Sequence, residues 1–299
     1  MANTILTAAT IARASLGLLL RDIVLPGTVN RDAESDFSGQ VGQTVNIRIP
    51  ASFSSHVYTQ TLRAAGTPIT VDDITEGSIP VVLDQTIYVA AAASDEELTF
   101  SIVDFGKQVL DPQVAAVAIG MENILAAAMN AIAAGTITYS KATVKSGGSA
   151  IDAVLAARAE LTAAKVPAGG RYLAVSPEVE TALLQSPDLV RFDGSGDSPN
   201  QALREATVGR LFGFTVVSSP AITTKTAIAY HQDAFAFVTR APIVPAGVVF
   251  GQSATYAGLG MRYIRDYDSL FLRDRSIVSS LAGAKLLDAN RAVKITEVA

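Results

Sequence analysis

Candidate nucleophiles for covalent catalysis are few in this sequence. Gly196-Asp197-Ser198-Pro199 has the order Gly-Asp-Ser that surrounds a reactive serine in some hydrolases, but Pro199 replaces the glycine whose backbone shapes the oxyanion hole. The pattern Gly-x-Ser-x-Gly of a nucleophile elbow does not occur. The chain contains no cysteine, which excludes thiolate catalysis, disulfides and thiolate-bound metals. We therefore interpret the serine segment as a polar surface loop.

Patterns that bind metals and nucleotides are incomplete. Asp193 to Asp197 places oxygen ligands at alternate positions, as in a calcium loop, but Ser198 replaces the required glycine and Arg204 the closing glutamate. Gly258-Leu259-Gly260 lacks the third glycine of a dinucleotide fingerprint, and no Walker-type Gly-Lys-Ser/Thr occurs. His231 is interpreted as a strand-end residue without an identifiable partner. We therefore expect no metal, no cofactor and no enzymatic activity.

The charge balance argues against tight binding of nucleic acid. With 23 basic and 28 acidic residues, the formal net charge is −5, and Lys and Arg form no run. Tight duplex binding needs several clustered phosphate contacts, so DNA is expected to be a non-specific neighbour at most. Met1 to Leu20 has no basic region and no small-residue cleavage signature, and we expect neither a signal peptide nor a membrane span.

One mixed-charge run near the C-terminus is open to two interpretations. Interleaved charges on strands are typical of a solvated edge that is protected from aggregation. They also occur where complementary charge sets the register across a subunit boundary. The run comprises Arg262, Arg265, Asp266, Asp268, Arg273, Asp274 and Arg275.

The element that positions the rest of the chain is predicted between Ser94 and Gly135. Ser94 to Glu97 is a capping box that begins a short helix, and Asp111-Pro112 interrupts that helix and restarts it. With Asp111 as cap and Pro112 at the first helical position, an apolar stripe predicts a helix of roughly 35 Å that ends at Gly135. The stripe comprises Val114, Val117, Met121, Ile124, Leu125, Ala128 and Ile132. We interpret this helix as a spine.

A long polar excursion precedes the spine. Strands are predicted at Val45 to Ile49, stopped by Pro50, and at Val81 to Val89. The roughly thirty residues between them are rich in Ser, Thr, Gly and Pro, and a structureless loop of that length is uncommon in a compact domain. A protruding antiparallel hairpin explains the pattern, but an isolated hairpin is marginal in water and needs another surface. His56 is interpreted as an exposed loop residue with hydroxyl residues, rather than acidic partners, nearby.

The remaining elements form two groups around the spine. Thr4 to Leu20 is predicted as a first helix, and Ile151 to Thr239 as a compact α/β unit after a Gly/Ser hinge. Strands return after Ala241, at Met261–Tyr267, Leu270–Val278, Ala284–Leu287 and Val293–Ile295. If these strands pack beside the spine, the α/β unit is an insertion.

Taken in order, several segments resemble the major capsid proteins of tailed bacteriophages, which have the Hong Kong 97-type fold. The matching pieces are Ile5-Leu6-Thr7 to Ile11-Ala12-Arg13, Leu25 to Asp32, Gly42 to Pro50, Leu98-Thr99-Phe100 to Asp104-Phe105-Gly106, Val109 to Pro112, Gly209 to Ser218, Ala234-Phe235-Ala236, Gly283 to Asp288 and Arg291-Ala292-Val293. They cover nearly the whole chain.

The resemblance implies an α+β capsid fold in four parts. These are an N-terminal arm (1–44), an extended loop built as a β-hairpin (45–89), a peripheral domain with the spine helix (90–148 and 241–299) and an inserted α/β axial domain (149–240). The implied function is structural. Copies form pentamers and hexamers of an icosahedral phage head around double-stranded DNA, assembled in the host cytoplasm.

Some family features are missing from the sequence. One branch of the family crosslinks subunits through a lysine of the extended loop, but Val45 to Val89 contains no lysine, so we expect no such bond. Some members carry an N-terminal scaffolding region, whereas this sequence begins with the arm, so a separate scaffolding protein is expected unless the gene product was trimmed. A portal and a decoration protein are further expected partners.

The residues predicted to form the subunit interface lie in the extended loop and in the mixed-charge run. They are His56, Tyr58, Arg63, Asp72, Asp73, Glu76, Arg262, Arg265, Asp266, Asp268, Arg273, Asp274 and Arg275. Two alternatives remain open at this stage. An encapsulin-like nanocompartment shell shares the implied fold, and a soluble α/β enzyme would need a pocket with convergent polar groups.

Overall fold

The computed structural model describes residues 24–31, 44–49, 55–74, 77–96, 109–133, 137–139, 149–185, 209–248, 250–256 and 259–297. Several predictions lie outside these residues: the first helix (4–20), the short helix after Ser94–Glu97, the serine and calcium-like patterns (193–204) and the interface candidate Glu76.

The helices are α1 Gln60–Ala64, α2 Asp111–Asn130, α3 Ala150–Ala163 and α4 Pro177–Leu184. The strands are β1 Thr44–Ile49, β2 Gly77–Val82, β3 Gln85–Ser94, β4 Ile137–Tyr139, β5 Arg171–Val175, β6 Arg210–Leu211, β7 Phe214–Ser218, β8 Thr226–His231, β9 Phe235–Arg240, β10 Phe250–Tyr256, β11 Leu259–Asp268, β12 Arg273–Leu286 and β13 Ala292–Glu297.

The spine helix is α2, and both of its ends differ from the prediction. Asp111 is the first helical residue rather than the cap, and Leu110 occupies the cap position without a side-chain hydrogen bond. The reason is that Pro112 lies in the first turn, where its missing N–H has no helical partner, so the helix begins before it. At the other end the helix stops at Asn130 rather than Gly135, and Lys294 Nζ donates to the Asn130 carbonyl at 2.9 Å.

One face of α2 is buried against a sheet. The stripe positions that are buried are Val114, Val117, Met121, Leu125 and Ile132. Gln113 fixes the helix to β12, because its Nε2 donates to the Ser276 carbonyl at 3.0 Å and its Oε1 accepts from Ser276 Oγ at 2.7 Å. By length and composition α2 could cross a membrane. Burial of its apolar face in the protein's own core accounts for that composition.

The sheet beneath α2 has the order β10-β11-β12-β3, and β9 also pairs with β12. The C-terminal strands therefore return to the spine helix, as the sequence predicted. Two predicted strands, Leu270–Val278 and Ala284–Leu287, prove to be parts of one 14-residue strand, β12. Gly283 lies where the strand passes the chain at Val82, and a Cβ there would stand 2.3 Å from the Val82 carbonyl oxygen. A small residue at this crossing weakened the alternation that predicts a strand.

The second sheet has the order β4-β13-β8-β5-β7-β6 and packs with α3 and α4. Ser149 and Asp152 form a capping box at the start of α3. Ser176 precedes α4, but its side chain makes no capping hydrogen bond. β13, from the C-terminal range, pairs with β8, while β9 pairs with β12, so backbone hydrogen bonds join the two predicted domains at two places.

The base of the extended loop is the predicted antiparallel hairpin. β1 and β2 pair from Thr44 opposite Val82 to Ile49 opposite Gly77. The second predicted strand, Val81–Val89, is broken into β2 and β3, because the side chains of Val81 and Leu83 are buried in a common cluster that fixes the chain between the two strands. The cluster also contains Ala236, Val238 and Leu281.

Residues 24–31 lie against the core. Leu25 is fully buried, and Thr28 Oγ1 donates to the Leu25 carbonyl at 2.7 Å and hydrogen-bonds to the hydroxyl of the fully buried Tyr230. Asn30 forms a parallel bridge with Ala236 of β9. This segment therefore fixes part of the predicted N-terminal arm (1–44) to the subunit's own core.

Candidate assembly surfaces

The distal segment of the extended loop, residues 55–74, is held together by its own side chains. Thr59 caps the short helix α1 by accepting from the Leu62 amide at 3.4 Å. Tyr58 closes the turn, since its hydroxyl donates to the Thr67 carbonyl at 2.7 Å and its ring lies 5.8 Å from the Arg63 guanidinium carbon. These contacts within the segment give it a defined shape.

His56 pairs with an acidic residue, contrary to the sequence interpretation. Its Nε2 lies 2.7 Å from Asp72 Oδ1, on the opposite arm of the segment. The two residues are 16 positions apart, so only the hairpin geometry brings them together. Asp73, next to it, is exposed. The His56 side chain is an exposed loop residue, as predicted, but it links the two arms.

The distal segment projects away from its own subunit. Each of its residues is exposed except Asp72, which is half-buried. The exposed apolar side chains are Val57 (82%), Ile74 (73%), Val71 (81%), Ile69 (67%), Tyr58 (39%) and Leu62 (38%). Several exposed apolar side chains on one protruding hairpin are typical of an interaction surface.

The mixed-charge run forms cross-strand ion pairs between β11 and β12. Asp266 stands opposite Arg275 with Oδ2 2.6 Å from Nη2, and Asp268 stands opposite Arg273 with a separation of 3.2 Å. Arg265 pairs diagonally with Asp274. The hydrogen bond that the Arg275 guanidinium donates to Asp266 raises the pKa of Arg275.

These pairs set the register of two strands of one subunit. Opposite charges placed directly across an antiparallel pair stabilise that register. Arg262 lies apart from them, donating to Ser279 Oγ at 3.1 Å and to the Ile243 carbonyl at 2.8 Å, and desolvation lowers its pKa.

The turn between β11 and β12 was missed by sequence reasoning as a surface feature. Leu270 is 87% exposed, Phe271 66% and Leu272 62%, and Leu272 has a left-handed backbone with φ 47°. The Arg273 guanidinium carbon lies 4.5 Å from the centre of the Phe271 ring. The signal in the sequence was three consecutive apolar residues between charged strands. An apolar turn in a strained backbone conformation is a second candidate contact surface.

The predicted interface residues therefore fall into two separate places. His56, Tyr58, Arg63, Asp72 and Asp73 lie in the distal segment, and the charged residues of the C-terminal run lie on β11 and β12. Within the described residues, no group of three or more His, Asp or Glu side chains is placed to hold a metal ion.

Comparison with known proteins assigns the class. A family model described as phage capsid protein matches residues 54–295, most of the chain, and the chain belongs to that family. No curated protein sequence matches it.

The fold is shared with solved structures from two phages and with a virus-like particle. A chain from Mycobacterium phage Che8 is 20% identical with a TM-score of 0.68, and the match covers 91% of this chain and 90% of that one. A chain from the mature capsid of bacteriophage PhiM1 is 14% identical with a TM-score of 0.57, covering 85% and 82%. A virus-like particle from Pyrococcus furiosus is 14% identical with a TM-score of 0.54, covering 95% and 97%.

The protein is thus a major capsid protein of a tailed phage, with the α+β Hong Kong 97-type fold predicted from its sequence. Its role in the virion is structural rather than enzymatic. It forms the capsid shell from copies of itself.

Proposed function

We propose that copies of this chain form pentamers and hexamers that close into an icosahedral head around double-stranded DNA, with the extended loop of each copy lying on its neighbour. The main support for this proposal is that the distal segment is held in shape by its own hydrogen bonds, yet exposes its apolar side chains. Full burial of a Val or Ile side chain stabilises by about 1.5–3 kcal/mol. Val57, Ile69, Val71 and Ile74 together therefore supply a substantial driving force for association.

The proposal also assigns a role to each of the four parts of the subunit. The arm (1–44) and extended loop (45–89) reach neighbouring copies, the peripheral domain (90–148 and 241–299) carries the spine, and the axial domain (149–240) faces the capsomer axis. The buried cluster at Val81 and Leu83 supports this assignment of roles, because it fixes the base from which the extended loop projects. Cross-strand ion pairs such as Asp266–Arg275 stabilise the two strands that carry the β11–β12 turn. This supports a role for the charged run in positioning the exposed apolar residues of the turn for contact with another copy.

Deletion of the distal part of the extended loop tests the proposal. Removing residues from Ser52 to Ser78 should leave folded subunits that do not assemble, because the buried clusters of both sheets remain intact. Electron microscopy and sedimentation would measure assembly, and circular dichroism would measure folding. Normal-sized shells built from the deleted chain would refute the role of the loop.

DNA content separates a phage head from its closest alternative. The net charge of −5 gives no basic surface for tight binding, so packaged DNA is contacted non-specifically. The similarity to the Pyrococcus furiosus virus-like particle favours one second candidate, an encapsulin-like shell without a genome. Cryo-electron microscopy of native particles distinguishes the two, since only a phage head contains concentric layers of DNA.

Further partners complete the proposal. A separate scaffolding protein, a portal and a decoration protein are proposed to act during assembly in the host cytoplasm, and no catalytic step by this chain is required. Co-purification of immature particles from infected cells, followed by mass spectrometry, tests which of these proteins accompany it.

A further inference from the structure

The outer edge of β3 has no strand beside it among the residues that the structure describes. Among the described residues, β3 is the last strand of its sheet and pairs only with β12. It is 10 residues long, from Gln85 to Ser94, and contains neither a charged residue nor a proline. Natural proteins protect free edges with charges, prolines or bulges, and a long uncharged edge invites another strand. This edge is therefore suited to being covered.

The two faces of β3 differ. Ile87 packs against Gly120 of the spine helix, and Val89 also packs on the main core. Tyr88, Ala90 and Ala92 point to the other face and are exposed, Tyr88 by 67%. A strand added to this edge would find an apolar, uncharged row on its exposed face.

The distal segment contains an unpaired extended stretch that matches this edge. From Pro68 to Ile74 the chain has no helix or strand partner, and its backbone groups make no hydrogen bond to another described residue. Ile69 and Val71 lie on one side of the stretch by strand periodicity, and both are β-branched and exposed. In this stretch the backbone groups thus lack hydrogen-bond partners among the described residues, and the apolar side chains are exposed to solvent.

The stretch cannot pair with β3 of its own subunit. β3 pairs with β12 from Arg273 to Ala282, and Val82, at the end of β2, lies over Gly283, the next residue of β12. β2 therefore continues the line of β3 instead of folding back along it. β2 extends about 20 Å from that junction, and residues 68–74 make no backbone pair with β3 of their own subunit in the structure.

We propose that residues 68–74 of one copy add as a β-strand to the outer edge of β3 in a second copy. Main-chain hydrogen bonds then supply affinity, and Ile69 and Val71 pack beside Tyr88 and Ala90. This inference rests on the proposed function, because it needs copies placed side by side in a shell, and it specifies which surface of the neighbour receives the loop.

Disulfide trapping tests the pairing, and the absence of native cysteine makes it unambiguous. One chain carries only Val71→Cys and a second carries only Tyr88→Cys, Ala90→Cys or Ala92→Cys, a scan that allows for the unknown register. Both chains are produced together with the other head proteins, and particles are purified and oxidised. Each single variant alone serves as the control for links between identical positions.

The expected result is a disulfide-linked dimer on a non-reducing gel for at least one β3 position. In a parallel experiment the second chain carries Ile119→Cys, on the exposed side of the spine helix, instead of a β3 cysteine. This experiment distinguishes failure of the strand pairing from failure of the proposed function. A link at position 119 and at no β3 position would overturn the pairing while leaving the loop on its neighbour. Particles without any link would also overturn it. If Val71→Cys prevents assembly, Ile69→Cys on the same side replaces it.

Discussion

At the scale of residues, Tyr230 shows how a single buried hydroxyl ties a terminal segment to the core. Its ring packs edge-on against Phe235 with centroids 5.5 Å apart, and its hydroxyl bonds to Thr28. Burial raises the pKa of this phenol above its usual value of about 10. The folded state therefore holds the phenol proton at a pH where the unfolded chain has lost it.

The consequence is a loss of stability at alkaline pH. Because the pKa is raised on folding, the contribution is complete below about pH 10 and declines as the pH rises through the folded-state pKa. Tyr230→Phe should lower the free energy of unfolding near neutral pH by about 1 kcal/mol, through the lost hydrogen bond, and flatten the decline above pH 10. Urea unfolding of subunits from pH 7 to 11 measures both effects. An unchanged alkaline slope would contradict the assignment, with Tyr172→Phe as the matched control.

Lys294 is a second residue whose role is local. Its Nζ donates to the carbonyls of Asn130, at 2.9 Å, and Ile132, at 3.5 Å, where the spine helix ends. A cation at this end offsets the helix dipole and satisfies carbonyls that lack helical partners. Lys294→Met should lower the free energy of unfolding by roughly 1 kcal/mol. Thermal unfolding measures this change. Lys285→Met, at an exposed position of β12, is the control and should have little effect on the free energy of unfolding.

At the scale of elements, the crossing of β12 and the end of β2 decides how the extended loop leaves the sheet. The backbone at Val82 approaches so closely that only glycine fits at position 283. This contact fixes the direction in which β1 and β2 project. The loop is therefore aimed by backbone packing rather than by its own sequence.

Gly283→Ala should disrupt that crossing. Its Cβ would lie 2.3 Å from the Val82 carbonyl oxygen, and relief of the clash requires a shift of backbone, so we expect a loss of at least about 2 kcal/mol in stability. Gly247→Ala is the matched control, since nothing lies within 4 Å of the position of its added Cβ. Thermal unfolding and the yield of particles would be measured for both. Equal behaviour of the two variants would show that the crossing tolerates a side chain.

At the scale of the whole molecule, two apolar projections distinguish this subunit from a self-sufficient globular protein. The distal segment and the β11–β12 turn both carry exposed aromatic or branched side chains on supports that are well tied to the core. A shell assembled from many weak contacts needs several such surfaces on each copy. We therefore expect these two surfaces to be covered by neighbouring copies in the shell.

Phe271→Asp tests the second projection. The side chain is 66% exposed and contacts Arg273, so an acidic replacement should leave the fold intact, while a buried charge would weaken any contact between copies. We expect unchanged subunit unfolding and a marked loss of particles by electron microscopy. Ile243→Asp, at a similarly exposed apolar site, is the control. Wild-type yields from Phe271→Asp would show that the turn takes no part in assembly.

The amino-acid sequence by itself determined the local elements. Alternation at Val45, Ile47 and Ile49 predicted β1, and the stripe from Val114 to Leu125 predicted the buried face of α2, because periodicity records which side of an element meets the core. The composition of residues 50–80 likewise predicted a protruding loop. These features depend on neighbours in sequence.

Only the tertiary structure decided which distant residues meet. The His56–Asp72 pair, the junction of β2 and β3 at Leu83, and the merging of two predicted strands into β12 all depend on contacts between remote segments. Gly283 is a position of close backbone approach, which the sequence alone did not indicate. The physical reason is that hydrophobic periodicity reports burial, whereas backbone crossings and side-chain pairs are set by the path of the whole chain.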